Sequence, residues 1–194
     1  MLSLVLTWLI VAWGALACIY LLYRAWTRFP RRDLDDVVHF LYPVDLSLAE
    51  SLLDPAEDFS LRWSLSPRAY REAQRRRMRL YLELVRRMAH NSVVLVEFGN
   101  AACAGEKLEA AVVSELQQAA IKVRLYSTFA RLNLRIRLLL PSGAFGVIPL
   151  PDLPRMRKVA DLDGPKTYDE LRTAAAAAFM QLQPGDLEGL TRNL

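Results

Sequence analysis

The side chains best able to do chemistry in this 194-residue sequence are few: two histidines, His39 and His90, two cysteines, Cys18 and Cys103, and scattered carboxylates. Catalysis at neutral pH relies on an imidazole, an activated thiol or a tuned carboxyl pair. Cys18 lies in an uncharged apolar run and Cys103 among alanines, so both read as small hydrophobes. His90 reads as a core or surface polar position on a long helix. Asp36-x-x-His39 has the spacing of one arm of a carboxylate metal site, but such sites draw arms from several helices and only one arm is present. No Walker A loop, Gly-x-Gly-x-x-Gly, Gly-x-Ser-x-Gly or His-Glu-x-x-His occurs. The sequence therefore predicts no catalytic residue, no cofactor and no metal, and points to binding or scaffolding instead of turnover.

The elements that would carry a binding surface begin with an apolar segment. Hydrophobic residues make up 53% of the chain, above the ordinary globular share of about 45–50%. The excess sits in Met1–Tyr23, where no residue is charged and 20 of 23 are hydrophobic. As a helix this run measures about 34 Å against a hydrocarbon core of about 30 Å. Tyr20, Tyr23 and Trp26 fall where an interfacial belt belongs, and Arg24, Arg28, Arg31 and Arg32 follow at once. A secretory signal would have a basic leader and a shorter apolar core. The expectation is one transmembrane helix over 1–23 of a single-pass protein, in the plasma membrane or a bacterial inner membrane. Those four arginines are its topology determinants, placing the amino terminus outside and the main domain in the cytoplasm. No second such stretch exists, which excludes a polytopic transporter. Gly14 and Cys18 form a small-x-x-x-small pair that admits a homo-oligomer.

Charge is laid out in blocks beneath a net +4. Residues 33–58 carry eight acids and no Lys or Arg, whereas residues 66–90 carry eight arginines against two glutamates. Arg68, Arg71, Arg75, Arg76 and Arg79 are candidate contacts for an anion or a partner protein, and anionic lipid is the natural ligand near a membrane. The acidic and basic blocks could equally neutralise each other within the fold. Nucleic acid is not expected, because no helix-turn-helix, RNA-recognition or Cys/His finger signature accompanies the arginines.

The segment 24–65 reads as a basic then acidic juxtamembrane stretch with short helices. Ser47 and Glu50 have capping-box spacing, and Asp54-Pro55 has the form of a stop and restart. Ser66-Pro67 is a helix start, and no Gly or Pro interrupts the chain until Gly99. Gly99 to Gly105 brackets small residues suited to a turn or a close helix contact. Glu106–Leu140 is again free of Gly and Pro. Residues 66–140 are thus expected to form a long antiparallel helical hairpin. Leu125, Phe129, Leu132, Ile136 and Leu139 step by four, three, four, three and are the candidate seam packing one arm on the other. Residues 131–138 also alternate as a strand would, so a β-hairpin over 131–150 is the competing reading. Glu83 and Glu97 are possible buried partners for Arg131 or Arg135. Residues 141–166 read as a Pro/Gly-rich loop, and 167–194 as a C-terminal helix and tail opened by the capping box Thr167-x-x-Glu170. The expected architecture is mainly α: an anchor, a helical hairpin or bundle, a loop and a last helix. The expected function is a protein-binding or scaffolding module at the cytoplasmic face of a membrane. The rival is a membrane-peripheral regulator whose Arg-rich helix binds anionic lipid or nucleic acid.

Overall fold

Caps and breakers set the helix boundaries. Asp45 accepts the Leu48 N–H (3.0 Å) and opens α1, Leu46–Leu53. Ser47 donates to the same carboxylate (2.7 Å); it supports the cap instead of forming one, because Asp45 already occupies that position. Asp54 closes α1 through its N–H to the Ser51 carbonyl (3.2 Å) and opens α2, Pro55–Ser64, by accepting the Ala56 N–H (2.9 Å). Pro55 has no N–H to continue α1, so one aspartate serves both helices. Ser66 caps α3, Pro67–Ala104, with Pro67 in its first turn. α4 follows as Ala110–Leu139. These elements belong to a computed structural model that describes residues 34–105, 108–139, 153–159 and 161–182. The expected anchor over 1–23, the arginines Arg24, Arg28, Arg31 and Arg32, residues 141–152 and 160 of the Pro/Gly-rich loop and the terminal tail from 183 lie outside those residues.

The described chain is mainly α-helical. Among the described residues no helix is long and apolar enough to cross a membrane. α3 and α4 pack as antiparallel arms: Gly99 of α3 meets Leu116 of α4, and Tyr81, further back along α3, meets Tyr126, further on along α4. Residues 131–139 are helical, so the strand reading fails there. One side of that arm is buried against α3 and α5, and this packing decides between two periods that the sequence satisfies equally. Val93–Phe98 is likewise helical, and the helix runs through Gly99 to end at Gly105, whose N–H bonds the Ala101 carbonyl (3.2 Å).

A 3-10 turn, Leu153–Arg157, leads into a two-residue hairpin, β1 Lys158–Val159 and β2 Leu162–Asp163, whose turn holds Asp161 at φ 61°. Aspartate tolerates this left-handed conformation better than most side chains. α5, Gly164–Leu182, then packs along α4. It starts three residues before the expected cap. Thr167 lies in its first turn and donates to the Asp163 carbonyl (2.6 Å), so the capping box is not used. Gly164 abuts the Tyr126 ring, where a Cβ would overlap it. A second 3-10 turn, Leu34–Phe40, packs on α3.

The candidate seam faces the other way from its expected direction. Leu125, Phe129, Leu132 and Leu139 are 48%, 43%, 55% and 83% exposed, and Ile136 is only half-buried. The buried seam of α4 is Val113, Leu116, Ala120, Val123, Ser127, Ala130 and Leu134, which also steps by threes and fours. Its small members allow α3 and α4 to approach closely, whereas the bulkier set would hold them apart. α4 therefore carries two heptad-type stripes on opposite sides, and the less hydrophobic one lies inside.

Candidate functional site

Two buried polar clusters hold the helices together. Asn91, fully buried on α3, accepts the Tyr42 N–H (2.9 Å) and donates to the Tyr42 carbonyl (2.8 Å) and the Tyr168 hydroxyl (2.7 Å). Its neighbours extend the grip on residues 40–43. His90 donates to the Phe40 carbonyl (3.1 Å) and its ring meets Tyr42 at 4.6 Å, while Arg87 donates to the Pro43 carbonyl (3.1 Å). In the second cluster the Tyr81 and Tyr126 hydroxyls meet, and Tyr126 donates to the Met156 carbonyl (2.7 Å). Burial raises all three phenols. Tyr168 is pushed up to about 12, with Asn91 pulling in the opposite direction. Tyr126 rises further, as does Tyr81, where Tyr126 adds to the effect. All three stay protonated at neutral pH, and their hydrogen bonds fasten one element to another.

The reactive side chains named from sequence are dispersed. His90 holds a backbone carbonyl, His39 is exposed, and Cys103 is a half-buried free thiol packed beside Ala102, Leu108 and Val113. Among the described residues no group of three or more His, Cys, Asp or Glu gathers to hold a metal ion. A shallow groove of about 400 Å³ between α4 and α5 is lined by Glu115, Lys122, Asp169 and Glu170, and a Lys122–Glu170 ion pair (2.8 Å) spans it.

The arginine block divides by direction. Arg77 turns inward, donates to the carbonyls of Ser51 (3.1 Å) and Leu52 (2.8 Å), and lies 3.6 Å from Glu57 and 3.8 Å from Asp58. Acidic and basic blocks thus do meet, through a residue outside the candidate set. Arg68, Arg71, Arg75, Arg76 and Arg79 all face solvent. Arg76 pairs with Glu72 one turn back (3.3 Å), a surface contact worth little. Arg68, Arg71 and Arg79 make no ion pair or side-chain hydrogen bond among the described residues.

The outer side of α4 is the other exposed surface. Ile121, Leu125, Phe129, Leu132, Ile136 and Leu139 lie within about 40° of one line along the helix, given about 100° per residue. From Ile121 to Leu139 the helix carries Lys122, Arg124, Arg131, Arg135 and Arg137 and no acid. Arg131 neighbours Arg135 and Arg86, and partial burial followed by these like charges lowers its pKa. The glutamates proposed as its partners are engaged elsewhere. Glu83 pairs with Arg86 and Arg87 of its own helix (3.5 Å each), and Glu97 acts on Arg124. Sequence reasoning missed Asn91, Arg77 and the four tyrosines of the clusters, because nothing in their spacing marks a polar residue that finds its partner 25 to 77 positions away.

No protein-family model, curated protein sequence or solved structure matches the chain.

Proposed function

We propose that the chain is a membrane-tethered helical docking module, held by the uncharged run Met1–Tyr23, that binds a protein partner at the cytoplasmic face. The observation that carries the docking role is the outer stripe of α4: six bulky apolar residues aligned on a rigid helix, with five of them more than two-fifths exposed. Aligned apolar exposure of this kind marks an interaction surface, unlike scattered single residues. Tethering rests on the length and flanking charges of the apolar run. The domain's polar clusters are structural clasps, which supports binding over catalysis.

Two measurements test this reading. A Ser60→Cys variant in a Cys103→Ser background, labelled from each side of sealed membranes, reports topology; recovery without membranes defeats the tether, and labelling from outside alone defeats the cytoplasmic orientation. Purification of the full chain in mild detergent, with the co-purifying protein identified and rebound from pure components, tests docking; a chain that retains no partner defeats it. A second reading, contact with anionic headgroups, is favoured by Arg68, Arg71 and Arg79, which are exposed and without ion pairs among the described residues. Binding of the full chain to phosphatidylserine vesicles that is lost in salt and in the triple alanine variant of these three supports it.

A further inference from the structure

We infer that the outer stripe of α4 receives one helix of a second protein, apolar along a three-four seam and acidic along the edge that meets Arg124, Arg131 and Arg135. The inference rests on the docking role above and specifies its partner.

The shape argues for a helix. Leu125, Phe129, Leu132, Ile136 and Leu139 repeat at four, three, four, three, the spacing that sets knobs into the holes of a facing helix. With Ile121 the seam runs about 27 Å along α4 at 1.5 Å per residue. Its apolar arc is about 80° wide, narrower than the face of about 100° or more by which a helix settles into a broad apolar surface. Lys122 and Thr128 close the arc, each about 60° from its centre.

Charge selects among occupants. Arg124, Arg131 and Arg135 line one edge, and no acid occurs from Ile121 to Leu139. Lys122 on the other edge is already drawn to Glu170, and Arg124 is drawn to Glu97, so Arg131 and Arg135 carry the stronger demand. A second copy of the same stripe packed antiparallel would set the arginine edge against itself. A helix with glutamates or aspartates beside its apolar seam meets both requirements.

The test uses the full chain in mild detergent and three synthetic helical peptides sharing one Leu/Ile three-four seam. One has Glu on its flanks, one has Lys, and one has the Glu composition scrambled. Fluorescence anisotropy should show binding of the Glu-flanked peptide alone, weakening as salt rises through about 0.1 M, where screening reaches about 10 Å. Leu132→Glu should weaken it roughly tenfold or more, as loss of one buried leucine contact implies. Leu132 is exposed, so this variant should keep the far-UV spectrum of the parent, and Leu125→Glu serves as an independent second variant. Equal binding of Glu- and Lys-flanked peptides, or no binding by any, overturns the inference. So does a photo-crosslinker at position 132 that captures only a second copy, only this chain's own residues or only lipid. Partner co-purification that survives Leu132→Glu would leave the docking module standing and remove the stripe as its surface.

Discussion

Asn91 offers the sharpest test of how the domain is held together. Replacement by leucine keeps the branched outline at a somewhat larger volume and removes all three hydrogen bonds. The Tyr168 hydroxyl is then stranded in a fully buried site, while the Tyr42 N–H and carbonyl, only part-buried, regain some water. A stranded buried group costs about 1–3 kcal/mol, and the two Tyr42 groups less, so Asn91→Leu should destabilise by about 2–4 kcal/mol. For a domain of this size that lowers Tm by roughly 4–16 °C. Equilibrium urea unfolding followed by circular dichroism measures it. The companion is Tyr168→Phe, alone and combined with Asn91→Leu. Because the leucine has already broken the Asn91–Tyr168 bond, the double variant should be less destabilised than the sum of the singles by about 1 kcal/mol. Strict additivity, or a leucine variant as stable as the parent, would refute the claim that this asparagine fastens residues 40–43 and α5 to α3.

The two stripes of α4 predict opposite outcomes: Leu134→Ala should cost about 2–5 kcal/mol, whereas Leu132→Ala should stay within about 0.5 kcal/mol; equal effects in urea melts would show the faces are misassigned. At Gly99 a Cβ would lie 3.0 Å from Leu116 Cδ2. Gly99→Ala should therefore come out near neutral, crowding offsetting a helix-propensity gain of about 1 kcal/mol, while Gly99→Val should lose about 2–3 kcal/mol by the same measurement. The buried phenols predict alkaline sensitivity. Folding raises the Tyr168 pKa from an ordinary value near 10 to about 12. The folded state thus holds the proton more tightly: its stabilising share is complete below pH about 10 and is lost as pH rises toward 12. Tyr81 and Tyr126 shift the same way. Tyrosinate absorbance for these three should appear only together with unfolding; early titration without loss of helix would contradict their burial.

Local chemistry was the legible part of this sequence. Ser66-Pro67 and Asp54-Pro55 mark helix boundaries because a cap and a proline act within four residues of themselves. Gly99 was readable as either a turn or a close contact, and the contact with Leu116 resolves it. Facing was not legible. Leu125 and Val123, or Leu132 and Ala130, belong to stripes of the same period, and hydrophobicity alone selects the bulkier one. The structure selects the smaller because approach distance between helices, a property of the pair, outweighs the apolar content of either arm. The clusters around Asn91 and Tyr126 were out of reach for the same reason: their partners come from other elements, such as Tyr168 on α5 and the Met156 carbonyl ahead of β1.

A helix with two usable apolar sides has a competing way to pack. Turning α4 by half a revolution would bury the more hydrophobic stripe, and hydrophobic burial alone would favour that arrangement. The Tyr126 hydroxyl opposes it. In the observed orientation it meets Tyr81 and donates to the Met156 carbonyl, and the ring lies on Gly164. The half-turned helix would strand the Tyr81 hydroxyl and that carbonyl and press leucines into space shaped for Ala120 and Ala130. One tyrosine thus acts as a key to the rotational register, and α4 is a locally frustrated element whose apolar surplus stays on the outside.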